Sequence, residues 1–282
     1  MKKLNITLVL LIGLVVYSCT TDDSNQTINS RSISKLKATV YFMDEIDRYL
    51  TRVYENNKPK TDSIYDINNE ITYYSNWVFN DGKLSSKKTY DAVGNLTNDF
   101  SVFYDDLNRI SQIIDSGFGL TRTTTTNFTY NSDNTITSVS ELDGLITDKT
   151  FFLNSSGLIF KEVSEDLIEE IVYDSDFNVI SKSGSFGTTN YFYDDINLPP
   201  ENFPVNENNM FGTYKNNYII YKNSVQGAPN NEASILPKFL LEYQSGSSTT
   251  RFEWELNDDN YPISRKLYIQ NQLNVDYEYV YN

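Results

Sequence analysis

The chain has 282 residues, a net charge of −15, 22 Tyr, 16 Phe, a single Cys and no His. Without histidine it lacks the usual general base at neutral pH, the commonest metal ligand and the Ser-His-Asp and Cys-His triads. One cysteine excludes an intramolecular disulfide and a zinc–thiolate cluster, and so acidic a field repels polynucleotides, so no nucleic-acid partner is expected.

Lys2 and Lys3 precede an apolar run from Leu4 to Val16 that closes in Val16-Tyr17-Ser18-Cys19. A basic start, a short apolar stretch and a small residue before the cut describe residues 1–18 as a secretory signal; a membrane span needs about 20 apolar residues. With the only cysteine at the cut, the segment looks like a bacterial lipoprotein signal, and Cys19 is the expected lipidation site. Residues 19–32 then read as lipidated cysteine and polar tether. Within it, Thr20-Thr21-Asp22-Asp23 resembles the acidic signal that takes Bacteroidetes lipoproteins to the outer face of the outer membrane. The expected partner is a membrane, reached through a lipid anchor.

From Ile33 to Arg52 two patterns compete. Leu36, Val40, Met43, Ile46 and Leu50 fall at helical spacing, whereas Ala38 to Phe42 and Tyr49 to Tyr54 read as strands. The strand reading is preferred.

Beyond Tyr54 the chain keeps rewriting one phrase, clearest in Tyr90-Asp91-Ala92-Val93-Gly94-Asn95-Leu96. Asp or Asn opens a type I turn by accepting a bond from the backbone ahead, and three residues on Gly or Asn takes the left-handed conformation that closes it. The turn pairs are Asp66/Asn69, Asp91/Gly94, Asp105/Asn108, Asn131/Asn134, Asn154/Gly157, Asp194/Asn197 and Asn257/Asn260. Later copies recur at the length of two strands plus two turns and should line one edge, while the closer-spaced early copies should alternate between edges. Asp115 to Gly119, Leu142-Asp143-Gly144 and Ser183 to Gly187 are the expected turns of the opposite edge.

The rhythm breaks at 197–212, where Pro199, Pro200 and Pro204 cannot donate ladder bonds, and again at Asn223 to Asn231. It resumes in four strands from Lys238 to Tyr281. Within Arg251-Phe252-Glu253-Trp254-Glu255-Leu256 apolar and charged residues alternate, as an antiparallel sheet with one dry face requires. The tyrosines are expected along that dry face. The fold class is all-β: an antiparallel meander of repeated hairpins forming a curled or barrel-like sheet, one domain over 33–282 with an insertion loop at 197–212.

The Tyr-Asp-x-x-Gly-x-Leu phrase resembles the YD repeat of RHS and teneurin proteins, over Tyr54 to Asn197 and again near Leu256. The lipobox, acidic tether and closing stretch Trp254-Glu255-Leu256-Asn257-Asp258-Asp259-Asn260-Tyr261-Pro262 resemble Bacteroidetes lipoproteins of the DUF4595 type. That resemblance implies a porin-like fold and brings no activity. A membrane-spanning strand needs roughly 9–11 residues with an unbroken apolar row. Strands here read as nearer seven and put Arg251, Glu253 and Glu255 on one face, so a spanning barrel is not expected.

Paired acids at Asp105-Asp106, Glu169-Glu170, Asp194-Asp195 and Asp258-Asp259 point to opposite faces or sit in turns, so turn chemistry explains them. Asp174-Ser175-Asp176 and Asn257 to Asn260 cluster oxygens without completing a calcium loop, and no metal or cofactor is expected. Trp77 and Trp254 are the candidates for a sugar-stacking platform, against the competing reading of both as core. The expected role is non-catalytic display or binding, with a glycan or protein ligand. The alternatives are a glycan-processing enzyme with two carboxylates converging near the Pro199–Pro204 loop, or a structural envelope component.

Overall fold

Each phrase turns the chain back on itself, and eighteen strands result. The computed structural model describes residues 32–56, 58–175, 178–185, 187–197 and 238–282; the signal, Cys19, the tether and nearly all of the 197–212 loop lie outside them. The first half of the chain gives β1 (Ile33–Phe42), β2 (Glu45–Glu55), β3 (Lys58–Tyr65), β4 (Ile71–Asn80), β5 (Lys83–Asp91), β6 (Leu96–Tyr104), β7 (Ile110–Asp115), β8 (Thr124–Tyr130) and β9 (Thr135–Leu142). The second gives β10 (Leu145–Leu153), β11 (Ile159–Ser164), β12 (Ile168–Tyr173), β13 (Val179–Gly184), β14 (Gly187–Asn197), β15 (Lys238–Ser245), β16 (Ser248–Leu256), β17 (Pro262–Ile269) and β18 (Gln272–Tyr281). A 3-10 turn at Phe118–Leu120 is the only helical element among the described residues.

Every strand pairs antiparallel with the next, and β1 pairs with β2 on one side and β18 on the other, Leu36 standing opposite both Arg52 and Tyr279. The sheet is therefore a closed meander barrel, and closure leaves no strand edge to recruit another chain. Alternation gives the barrel two ends. The β1–β2, β3–β4 and following odd–even hairpins turn at what we call the upper rim. The even–odd hairpins turn at the lower rim, where the chain also enters at Ile33 and leaves at Tyr281. Asp66 turns at the upper rim, Asp81-Gly82 between β4 and β5 at the lower, Asp91 at the upper and Asp105 at the lower, and Asn131, Asn154 and Asn257 all turn at the lower rim, which is the expected alternation followed by a single edge.

The turns show why the phrase has its length. Asp66 Oδ1 accepts the N–H groups of Asn68 and Glu70, both at 2.9 Å. Asp91, Asp105, Asn154 and Asn257 repeat the pattern two and four residues ahead. Asn69, Gly94, Asn108, Gly157 and Asn260 hold φ between 63° and 91° and return their N–H to the opening residue's carbonyl. The aromatic or Leu that opens the phrase then pairs with the residue six places on: Tyr65 with Ile71, Tyr90 with Leu96, Tyr104 with Ile110, Leu153 with Ile159, Leu256 with Pro262.

The Asn131/Asn134 pair needs correction. Asn134 takes the expected left-handed conformation, with φ of 60°, but it does not close the turn as its counterparts do. Among the described residues no bond runs from its N–H to the Asn131 carbonyl, and its own carbonyl accepts the N–H of Leu153 from β10 at 2.9 Å. The cause is the acid between the two asparagines. Asp133 accepts both the N–H and the hydroxyl of Thr135, taking the acceptor role that the opening residue plays elsewhere. Asn131 Nδ2 is left to donate to the hydroxyls of Thr135 and Thr137. Tyr130 still pairs with Ile136, but this hairpin has no bulge.

Asp194/Asn197 is not a turn. Both residues lie in β14, where Tyr193 stands opposite Leu240 and Asn197 opposite Lys238. Among the described residues, the strand that pairs with β14 beyond Asp194 begins at Lys238.

A further correction concerns the tyrosines. Ser75 and Trp77 are buried, so Tyr74, one residue before Ser75 in the alternation, faces outward, and it stacks on Tyr90 at 5.1 Å. Tyr49 and Tyr65 pair on the same outer wall. Inward tyrosines have a task beyond packing. At the lower rim the hydroxyl of the last tyrosine of a strand donates to the carbonyl opening the strand before it: Tyr104 to Leu84 at 2.9 Å, Tyr130 to Ile110 at 3.1 Å, Tyr193 to Val179 at 2.8 Å and Tyr281 to Pro262 at 2.6 Å. Tyr173 does the same to Ile159.

Two apolar clusters fill the interior. One gathers Phe100, Val102, Ile110, Ile113, Phe128, Ile136, Phe151 and Ile159 from β6 to β11; the other gathers Leu36, Leu50, Tyr54, Val275, Tyr277 and Tyr279 around the closing seam. Both lie mostly toward the lower rim, where Thr135, Leu158, Asn178 and Tyr261 are buried as well. The upper rim is the reverse: Met43, Ile67, Val93, Leu145 and Ile168 are all more than half exposed. Leu107 is the exposed exception below.

Candidate functional site

Between the two apolar clusters the inner wall becomes charged. Arg52, Asp62 and Lys87 come from β2, β3 and β5 at positions that share the inward face with Leu50, Ile64 and Trp77. Arg52 holds Asp62 through two bonds, Nε to Oδ1 at 2.7 Å and Nη2 to Oδ2 at 3.0 Å, and Trp77 Nε1 donates to the same Oδ2 at 3.0 Å. Lys87 Nζ stands 3.4 Å from that oxygen and 4.6 Å from the centre of the Trp77 ring. Burial pushes the Asp62 carboxyl up, but the charge and hydrogen bond of Arg52, with Lys87 and Trp77 behind them, carry it below the ordinary carboxylate range. Burial pushes the Lys87 ammonium down, and Asp62 draws it partway back. A cavity of about 50 Å³ adjoins these groups.

On another arc of the wall Glu162 and Glu169 are direct partners across β11 and β12. Lys149 bonds Glu162 and Lys182 lies 3.5 Å from Glu169, so each carboxylate has its own ammonium. Glu170, next in sequence, turns outward to Lys161 at 3.4 Å. From Glu169 the wall continues through Tyr191 and Tyr243, whose rings lie 5.9 Å apart, to Phe252 and Arg265. Burial raises the Tyr191 phenol to about 12, helped by the charge of Glu169.

Neither tryptophan forms an external stacking platform. Trp77 is 7% exposed, with Arg52 and Lys87 over its ring. Trp254 carries the Arg265 guanidinium at 5.1 Å and stacks on Tyr279 at 6.4 Å. Both sit on the inward face because strand alternation puts them there, and the cations above them occupy the surface a sugar would need. Among the paired acids, Asp105 is used by its turn and by Arg109 at 2.7 Å. The Asn257 oxygen accepts two backbone N–H groups of its own turn. Among the described residues no three Cys, His, Asp or Glu side chains converge as a metal site. The Pro199–Pro204 loop lies outside those residues.

The lysines that neutralise Glu162 and Glu169, and the Arg52–Asp62–Lys87 cluster, were not singled out from the sequence. Their only signal was a charged residue at an inward position of an otherwise apolar alternation, as in Tyr49-Leu50-Thr51-Arg52.

No family model matches the chain, and no curated protein matches it. Among solved structures it is similar to a porin-like protein from Bacteroides uniformis, at 14% identity and a TM-score of 0.37 over 89% of this chain and 98% of that one. It is also similar to a porin-like protein from Bacteroides vulgatus, at 14% identity and a TM-score of 0.34 over 89% and 99%. A Photorhabdus luminescens Tc holotoxin pore matches over 84% of this chain but 12% of its own, at 10% identity and a TM-score of 0.21. At TM-scores this low, nothing is carried over from them.

Proposed function

We propose that the chain is an outer-membrane lipoprotein, anchored through Cys19, whose barrel stands in water and serves a non-catalytic display or binding role. It would belong with the YD-repeat-like lipoproteins of the DUF4595 type that its turn phrase resembles. The observation that supports this is the charge on the outer wall. Lys37 pairs with Glu278 at 2.9 Å, Lys88 with Asp99 at 3.2 Å and Arg251 with Glu253 at 3.1 Å, all on outward positions, and Asp148, Glu170 and Glu255 are exposed there too. A lipid-facing wall is penalised by about 2–4 kcal/mol for a Lys or Arg at the bilayer midplane. Strand length is no argument, because β2 and β14 reach 11 residues, against the shorter strands expected. The apolar residues line the inside, which is the arrangement of a barrel surrounded by water.

The test has two arms. Full-length protein in a bacterial host should take up radiolabelled palmitate and lose the label on Cys19→Ser. A fragment starting at residue 32 should remain monomeric without detergent. Aggregation that only detergent relieves would overturn the reading, and so would label retained by the serine variant.

A further inference from the structure

A groove of about 450 Å³ crosses the outer wall at the seam that closes the barrel. That volume lies within the roughly 300–1,000 Å³ common for small-molecule sites. Register partners build it in two rows. In the first, Ser264 stands opposite Glu278, Glu278 opposite Lys37 and Lys37 opposite Thr51. In the second, Asp276 stands opposite Thr39, Thr39 opposite Tyr49 and Tyr49 opposite Tyr65. Ala38, Leu50 and Tyr277 also border the groove, but alternation turns their side chains to the interior, where they are 3%, 5% and 2% exposed. The groove is therefore separate from the charged interior.

We infer that this groove binds a neutral oligosaccharide, a step that rests on reading the barrel as a water-exposed binding surface. The lining decides the class by elimination. The one cation of the lining, Lys37, is already engaged by Glu278 at 2.9 Å, and Lys266 stands opposite Asp276, so the lining leaves no excess of positive charge for an anionic ligand. No aliphatic side chain faces the groove, so a lipid tail or apolar peptide gains no burial. What remains is a row of hydroxyl, carboxylate and ammonium groups able both to donate and to accept, beside a cross-strand pair of phenol rings. A pyranose presents that combination, with hydroxyls on its edge and C–H groups on its face. Asp276 and Thr39 would take hydroxyls, and Tyr49 with Tyr65 would carry the ring faces.

The experiment is calorimetric titration of the protein with malto-, cello-, xylo- and mannohexaose. Tyr49→Ala and Asp276→Asn are titrated alongside, with Tyr268→Ala as an outer-wall control beyond the groove and circular dichroism verifying the fold of each. Binding of at least one hexaose is expected, weakened about tenfold or more, ~1.4 kcal/mol, by Tyr49→Ala, reduced by Asp276→Asn and unchanged by Tyr268→Ala. Absence of heat with all four sugars overturns the inference. So does binding that survives Tyr49→Ala, which would place the site elsewhere while leaving the barrel's exposure to water intact. Dependence of the protein on detergent would instead defeat the underlying reading.

Discussion

Arg52 and Asp62 are direct partners across β2 and β3, and the guanidinium closes on the carboxylate through bonds of 2.7 and 3.0 Å inside the barrel wall. Breaking a buried pair by removing one partner costs about 3–5 kcal/mol, because the other charge is left without compensation. Asp62→Ala should therefore lower the unfolding free energy by about that amount in urea titrations. The carboxyl is held below its unfolded value of about 3.9. A depressed carboxyl contributes stability that is present above the unfolded value and lost as pH falls through the folded one. Acid unfolding followed by circular dichroism should accordingly be less steep in Asp62→Asn than in the parent; equal slopes would remove Asp62 as a source of acid sensitivity.

The phenols set the alkaline limit. Burial raises Tyr104, Tyr130 and Tyr191 to about 12. A raised phenol contributes stability that is complete below the unfolded value of about 10 and is lost as pH rises through the folded one. Ultraviolet titration should show these phenolates forming late and together with unfolding. Tyr104→Phe should cost about 0.5–1.5 kcal/mol through the lost bond to the Leu84 carbonyl, visible as a lower urea midpoint with an unchanged slope.

Gly94 tests the turn. Its φ is 91°, and a Cβ there would meet only the Tyr74 hydroxyl, at 3.8 Å. Space is available, so any penalty is conformational. Gly94→Val should cost about 1–3 kcal/mol, since a β-branched residue fits positive φ poorly. Gly94→Asn should cost much less, because Asn69, Asn108 and Asn260 hold the equivalent position at 63–65°. Equal midpoints for the Val and Asn variants in thermal melts would count against this account.

Gly184 tests close approach. A Cβ there would lie 2.7 Å from the Ile168 carbonyl oxygen and 3.4 Å from Glu169 Cα. Backbone cannot move aside as a side chain end can, so Gly184→Ala should force β12 and β13 apart at a cost of about 1–3 kcal/mol. Hydrogen exchange should accelerate at Ile168 and Glu169 while the Asn154 turn keeps its protection.

The repeat was legible because its chemistry is local. Asp66 reaches only to Asn68 and Glu70, and such a turn is written in consecutive residues. The alternation of rims followed from spacing alone. Asn134 matched in conformation but not in bonding, because Asp133 beside it competes for the same Thr135 N–H. Asp194 misled because its phrase is locally sound, whereas the chain runs on through Asn197 as a strand whose partner Lys238 is far away in sequence. The outward tyrosines were misplaced for a different reason. Tyr74 and Ser75 are neighbours, and side-chain size favours the wrong one as the buried residue; the cross-strand partner Asp62, which fixes the inward face, is distant in sequence. The groove at the seam could not be read at all, since Lys37 and Glu278 stand 241 residues apart.

Joining β1 to β18 also imposes an order of events. The strand Ile33–Phe42 is made early, yet one of its two hydrogen-bonding sides has no partner until Gln272–Tyr281 has been synthesised. Until then the growing polypeptide exposes a free ladder of donors and acceptors, the feature that recruits foreign strands. Contacts this far apart also slow the final step. Loss of the last ten residues would leave two raw edges in place of a ring, and aggregation is the expected fate of such a truncation.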